Sequence, residues 1–160
     1  MREIRLPDIK ALVAVPRSLG ERPPRIHAVK GVSPDGEPVT VRTELGWTLL
    51  VFLSTDCQGC LPLWSVGRRH SEPPLSQVNA HVVTRISGED PTAVADSGGD
   101  ASVVMSDEAW DDYVVHSAPF FVLVDGRSGR LASEGVAWSV EQVCDCVSRA
   151  LRAESARPNG

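Results

Sequence analysis

Trp47-Thr48-Leu49-Leu50-Val51-Phe52-Leu53-Ser54-Thr55 runs without a break into Asp56-Cys57-Gln58-Gly59-Cys60. The first part is a nearly continuous apolar run, the pattern of a strand buried on both faces inside a sheet covered by helices. Two cysteines three positions apart follow at once, so a dithiol stands where the central strand stops and a new element begins. When the first cysteine of such a pair ends a strand-to-helix turn, the sulfurs come within bridging reach. The unpaired amides of the helix start then favour a thiolate, the reactive form. This context makes redox chemistry the leading reading, with a zinc half-site and a purely structural pair as the alternatives.

The chain has 160 residues, 42% of them hydrophobic and 23% charged. These values fit one globular domain large enough to bury a core without crosslinks. A formal charge of -5 and scattered arginines do not describe a nucleic-acid binder; Arg68-Arg69-His70 reads as a solvated helix end. The four cysteines are too sparse for a disulfide scaffold and leave the redox compartment open. Ala11 to Val15 is too short an apolar run for a membrane span or a signal-peptide core. As it stands the sequence reads as cytoplasmic, and an anchor or signal upstream of Met1 would make it extracytoplasmic.

Working outward, residues 1–25 carry Pro7, Pro16, Pro23 and Pro24 and read as a lead-in with a short helix around Asp8 to Val13. Ile26 to Val32 and Val39 to Val41 flank a turn at Ser33 to Pro38, which predicts a hairpin. Leu61, Leu63, Trp64 and Val66 give a helix of ten to twelve residues after Cys60, bent or shortened by Pro62. Asn79 to Ile86 is the next strand, parallel to the first by a crossover. Asp90-Pro91-Thr92 opens a short helix, Ala101 to Met105 is a brief strand, and Ser106 caps a helix with acids in its first turn. Pro119 to Asp125 and Arg130 to Val136 flank the turn Gly126-Arg127-Ser128-Gly129 as a second hairpin. Val140, Val143, Cys144, Val147 and Leu151 mark a closing amphipathic helix. The domain reading is therefore a lead-in over 1–25, one domain over 26–152 and a flexible tail over 153–160.

The strand feeding Cys57-Gln58-Gly59-Cys60, the proline opening the strand in Ser117-Ala118-Pro119-Phe120-Phe121-Val122-Leu123-Val124-Asp125, and the hairpin and helix after it resemble the thioredoxin-like superfamily. More narrowly, they resemble the thiol-disulfide reductases of the cytochrome c maturation and methylamine dehydrogenase accessory type. The resemblance spans Ile26 to Leu151. It implies a three-layer α/β sandwich with a central mixed β-sheet and an N-terminal β-hairpin extension. It also implies a cis Pro119 facing the dithiol, with Ala118 and Pro119 as the edge on which a substrate's extended chain docks. From the residues alone, a trans proline starting an edge strand is the alternative.

The expected function is thiol-disulfide exchange without a bound cofactor. Cys57 would be the nucleophile and Cys60 the resolver, with Gln58 and Gly59 setting the properties of the pair. The partners expected are protein disulfides or dithiols and an unidentified electron donor. Two other readings are a redox-inert interaction module and copper or zinc handling through the dithiol. Asp56 replaces the aromatic residue often found before the first cysteine; its charge would oppose a thiolate, or its carboxylate would cap the helix. Val51 stands where many thioredoxins carry an acid, and Glu44 and Asp56 are distant or exposed, which leaves proton transfer to water. Cys144 reads as core packing and Cys146 as more exposed. Trp64 and Trp110 read as core aromatics, and His116 lies near enough in sequence to Pro119 to line the site.

Overall fold

A computed structural model of the chain describes residues 24–99 and 101–156; the expected helix at Asp8 to Val13 lies outside these. The strands are β1 (Val29–Val32), β2 (Pro38–Val41), β3 (Trp47–Phe52), β4 (Asn79–Thr84), β5 (Val103–Met105), β6 (Phe120–Asp125) and β7 (Arg130–Gly135). A 3-10 helical segment covers Gln58–Arg69, and the helices are α1 (Pro91–Gly98), α2 (Asp107–Asp112) and α3 (Val140–Ser155). The strands form one sheet in the order β2-β1-β5-β4-β3-β6-β7. β3 pairs in parallel with β4 and antiparallel with β6, so the sheet is mixed and β3 lies inside it.

The pleat divides the core between the two faces of the sheet. Leu49, Val51 and Leu53 join Phe121, Leu123 and Val82 on one face, beneath the 3-10 segment, α1 and α3. Leu50 and Phe52 join Phe120, Val122 and Val83 on the other, with Trp110 and Tyr113 from α2 and the turn after it. That is the expected three-layer α/β sandwich, extended at its N-terminal side by the β1-β2 hairpin. Leu49, Leu50, Val51 and Phe52 are all 0% exposed, and burying each contributes about 1.5–3 kcal/mol before conformational entropy is counted. Trp64 and Trp110 are buried core aromatics, as their setting predicts.

Helix starts follow the sequence signals closely. The Ser106 side chain accepts from the Ala109 amide, Ser139 from Gln142, and Asp90 from Thr92 with Pro91 in the first turn. Each satisfies an amide that the helix itself cannot.

The element after the dithiol differs from expectation. Gln58–Arg69 is a 3-10 helix along its whole length rather than a bent α-helix. Pro62 has no amide hydrogen, and Gly59 and Gly67 are poor α-formers. Among the buried residues Cys60, Leu63, Trp64 and Val66, Cys60, Leu63 and Val66 recur every third position, a spacing that three residues per turn align in one row. The Cys60 amide accordingly donates to the Cys57 carbonyl, three residues back, at 3.2 Å. At the other end of the chain α3 runs to Ser155, past the point where the sequence reading begins a flexible tail.

Candidate active site

β3 stops at Phe52, and the Leu53 amide makes a last strand-like bond to the Val83 carbonyl at 3.0 Å. The chain then turns at the C-terminal edge of the sheet. Cys57 is the residue before the 3-10 segment, with extended backbone (φ -106, ψ 114), and Cys60 lies in its first turn. The two cysteines occupy different environments. Cys57 is half-buried at the rim and Cys60 is fully buried. Burial pushes the Cys60 thiol up to about 12, hydrogen bonding with Cys57 adds to this, and the Ser54 backbone pulls the other way. Cys60 is therefore held as the neutral thiol behind an accessible partner.

The loop that enters β6 faces the pair. The Ala118-Pro119 bond is cis, and the Cys57 Sγ lies 3.7 Å from the Ala118 carbonyl oxygen, a weak S–H···O contact. Gly59 touches the same proline: a Cβ built on it would sit 3.6 Å from Pro119 Cδ and 3.4 Å from Trp138 Cζ3. Gln58 is exposed and Gly59 partly so. The structure thus brings Cys57, Gly59, Cys60, Ala118 and Pro119 together.

The turn between β3 and Cys57 is tied by a residue that sequence reasoning does not pick out. The Glu89 carboxylate accepts the Ser54 hydroxyl at 2.8 Å, the Thr55 hydroxyl at 2.6 Å and the Thr55 amide at 3.4 Å. Charge-assisted bonds of this kind hold a turn firmly. The Ser54 hydroxyl also meets the Asp56 carboxylate. Asp56 therefore engages the turn behind it, and no side-chain bond caps the 3-10 start, which goes against the capping alternative for it. Beside Cys57 lies a cavity of about 270 Å³ whose lining includes Glu89, Arg85, His116 and Ala118. The Arg85 guanidinium rests over the Trp110 ring at 4.4 Å from its centre.

Cys144 and Cys146 are both half-buried and packed against the core beneath the 3-10 segment. Cys146, expected to be the more exposed of the two, is thus partly buried like Cys144 and touches the core from the side of α3. Burial holds the Cys144 thiol above its ordinary value. Among the described residues no group of three or more His, Cys, Asp or Glu side chains is placed to hold a metal ion, and no helix is long and apolar enough to cross a membrane.

No family model matches the chain, and no curated protein does. Solved structures do. The thioredoxin domain of a thiol-disulfide oxidoreductase from Bacteroides vulgatus superposes with a TM-score of 0.62 at 14% identity, covering 84% of this chain and 98% of that one. A thiol:disulfide interchange protein of the thioredoxin family from Chlorobium tepidum gives 0.60 at 18% identity, covering 82% and 98%. A secreted Mycobacterium tuberculosis disulfide oxidoreductase homologous to Escherichia coli DsbE gives 0.58 at 16% identity, covering 75% and 94%. This chain has the thioredoxin-like fold, with a Cys57-Cys60 pair at the end of its central strand.

Proposed function

We propose that the protein is a thiol-disulfide oxidoreductase that exchanges disulfides in polypeptide substrates through Cys57 and Cys60. The observation that carries this reading is the asymmetry of the pair beside a backbone edge: Cys57 half-buried and 3.7 Å from the Ala118 carbonyl, Cys60 fully buried behind it. The Cys57 thiolate attacks one sulfur of a substrate disulfide, forming a mixed disulfide and releasing the other substrate sulfur as a thiolate. Cys60 then gives up its proton and attacks the Cys57 sulfur. The Cys57-Cys60 bridge forms, the second substrate thiolate leaves, and two electrons have passed to the substrate. An external dithiol donor restores the pair; run backwards, the same steps oxidise a substrate dithiol. Ala118 and Pro119 are the edge on which the substrate backbone lies, and Gln58 and Gly59 flank it. An oxidising compartment suits a protein that trades disulfides, and the structurally similar Mycobacterium tuberculosis oxidoreductase is a secreted one, so this reading favours the extracytoplasmic location over the cytoplasmic one.

Equilibration in glutathione buffers, read by mass after acid trapping, tests the proposal. The expected result is a reversible two-electron transition within the glutathione range that Cys57→Ser abolishes. Absence of any transition overturns the enzyme reading in favour of a redox-inert binding module.

A further inference from the structure

We infer that the cavity beside Cys57 is a subsite for the charged α-amino-carboxylate head of a single cysteine. The inference rests on the thiol-disulfide reading and gives the same site a further substrate class: cystine, or a polypeptide thiol blocked by a disulfide to one free cysteine. The cavity holds about 270 Å³, and Cys57 is part of its wall together with Asp56, Arg85, Glu89 and His116. Small-ligand pockets run from roughly 300 to 1,000 Å³, so this one suits a ligand of amino-acid size.

Charges of both signs line it. Arg85 is half-buried, with its guanidinium over the ring of Trp110, itself 3% exposed. Among the described residues no carboxylate pairs with that guanidinium. Asp107, whose charge is felt by Arg85, spends its oxygens on the Ile86 and Ser87 amides and the Ser87 hydroxyl. A guanidinium resting on an aromatic face keeps its in-plane N–H donors, which match the two oxygens of a carboxylate. Partial burial has taken water from this cation without supplying an anion, and a ligand carboxylate fills that place. On the acidic side, Glu89 uses both oxygens on Ser54 and Thr55. Asp56 is exposed and accepts the Ser54 hydroxyl, which leaves its carboxylate open to an ammonium.

A cation alone would take any carboxylate, and an acid alone any amine. Both beside a nucleophilic sulfur select a ligand that carries both charges next to its own sulfur. In a single cysteine the ammonium and carboxylate share one carbon, a methylene away from the sulfur; inside a polypeptide both are consumed in amide bonds. The Cys57 thiolate attacks the sulfur of the bound cysteine, the disulfide to the other sulfur breaks, and that sulfur leaves as a thiolate and takes a proton from water. Cys60 then gives up its proton and attacks the Cys57 sulfur, the Cys57-Cys60 bridge forms, and the cysteine departs as its thiol. One disulfide is reduced and one formed, so the reduced protein supplies both electrons.

The test mixes pre-reduced protein with disulfide near neutral pH and follows oxidation of the pair by acid trapping and mass. Cystine is compared with cystamine, which lacks the carboxylates, and with dithiodipropionate, which lacks the ammoniums. Arg85→Gln should lower the ratio of the cystine to the cystamine rate constant about tenfold, the effect of losing one charged hydrogen-bonded pair, and Arg85→Lys should keep part of it. Asp56→Asn should lower the cystine-to-dithiodipropionate ratio in the same way. Arg42→Gln makes the same change in net charge outside the cavity and should alter neither ratio. Ratios that stay at the wild-type value, or that fall equally in Arg42→Gln, overturn the proposal. A peptide joined by a disulfide to cysteine, against the same peptide joined to cysteamine, separates the sources. An Arg85-dependent preference there assigns polypeptide-bound cysteine, and a preference confined to cystine assigns the small molecule. If the wild type is oxidised by none of these nor by glutathione disulfide, the redox reading has failed separately. Calorimetry with S-methylcysteine, which has the head but no disulfide, then decides the subsite: saturable binding weakened about tenfold in Arg85→Gln supports it, and absence of binding overturns it.

Discussion

Cys57 and Cys60 are three positions apart, yet one faces solvent and the other none, and their chemistry follows from that difference. With its thiol pushed up to about 12, Cys60 holds roughly one part in ten thousand as thiolate at pH 8. Iodoacetamide added to the reduced protein at pH 8 should therefore modify Cys57 and leave Cys60 essentially unlabelled, as mapped by peptide mass. Labelling of Cys60 in Cys57→Ser should rise with pH, provided the fold persists. Comparable rates at the two positions at pH 8 would remove the distinction between attacking and resolving sulfur. Glu89 acts one step further out, through the turn it ties. Glu89→Ala leaves the Thr55 hydroxyl and amide without their acceptor and the Ser54 hydroxyl with the Asp56 carboxylate alone, and should slow mixed-disulfide formation by Cys57 in stopped-flow measurements. Glu89→Gln, whose amide oxygen still accepts, should recover most of the rate, and equal rates for both variants and the wild type would show that the turn holds without it.

At the scale of elements, the strands and caps were legible in the sequence because each depends on local pattern. The apolar run of β3, the Ser106 cap and the turn before β7 are statements about neighbours in the chain. The 3-10 character of Gln58–Arg69 was less legible, since the signal is a three-residue recurrence of Cys60, Leu63 and Val66 that also fits a broad α-helical stripe. Glu89 and Trp138 were invisible for a different reason: they reach the dithiol only through the fold, Glu89 from the loop after β4 and Trp138 from the loop before α3. The loop after β4 is also tied to α2, where Asp107 accepts the Ile86 and Ser87 amides and the Ser87 hydroxyl. The Ser87 hydrogen bonds hold its carboxyl below the usual range. A lowered folded pKa means a stabilisation present above the unfolded carboxylate pKa and lost as pH falls through the folded one. Asp107→Asn should therefore be less stable than wild type at pH 7 in urea melts, and the gap should close as pH drops below the carboxylate range. A gap that stays constant with pH would assign the effect to shape rather than charge.

For the whole molecule, the two faces of the sheet each keep a weak acid neutral. Cys60 belongs to the core on one face and Tyr113 to the core on the other. Burial pushes both up to about 12, against ordinary values near 8.5 for cysteine and 10 for tyrosine. A raised folded pKa means that the unfolded chain gives up its proton first. Each group's contribution is thus complete below its unfolded pKa and is lost as pH rises towards 12. The reduced protein should accordingly lose stability steeply above pH 10. Tyr113→Phe separates the two groups. At pH 7 it removes the bond from the Tyr113 hydroxyl to the His27 carbonyl, 2.9 Å long, at a cost of about 1 kcal/mol. It also removes the ionisable hydroxyl, so its disadvantage relative to wild type should shrink above pH 10 and reverse before pH 12. Cys60→Ala at the opposite core should show the same convergence starting about a unit lower, and the double variant should be additive because the sites share no partner. Urea unfolding at pH 7, 10 and 11 checks this. Parallel curves for wild type and Tyr113→Phe across that range would mean that the buried hydroxyl does not govern alkaline stability.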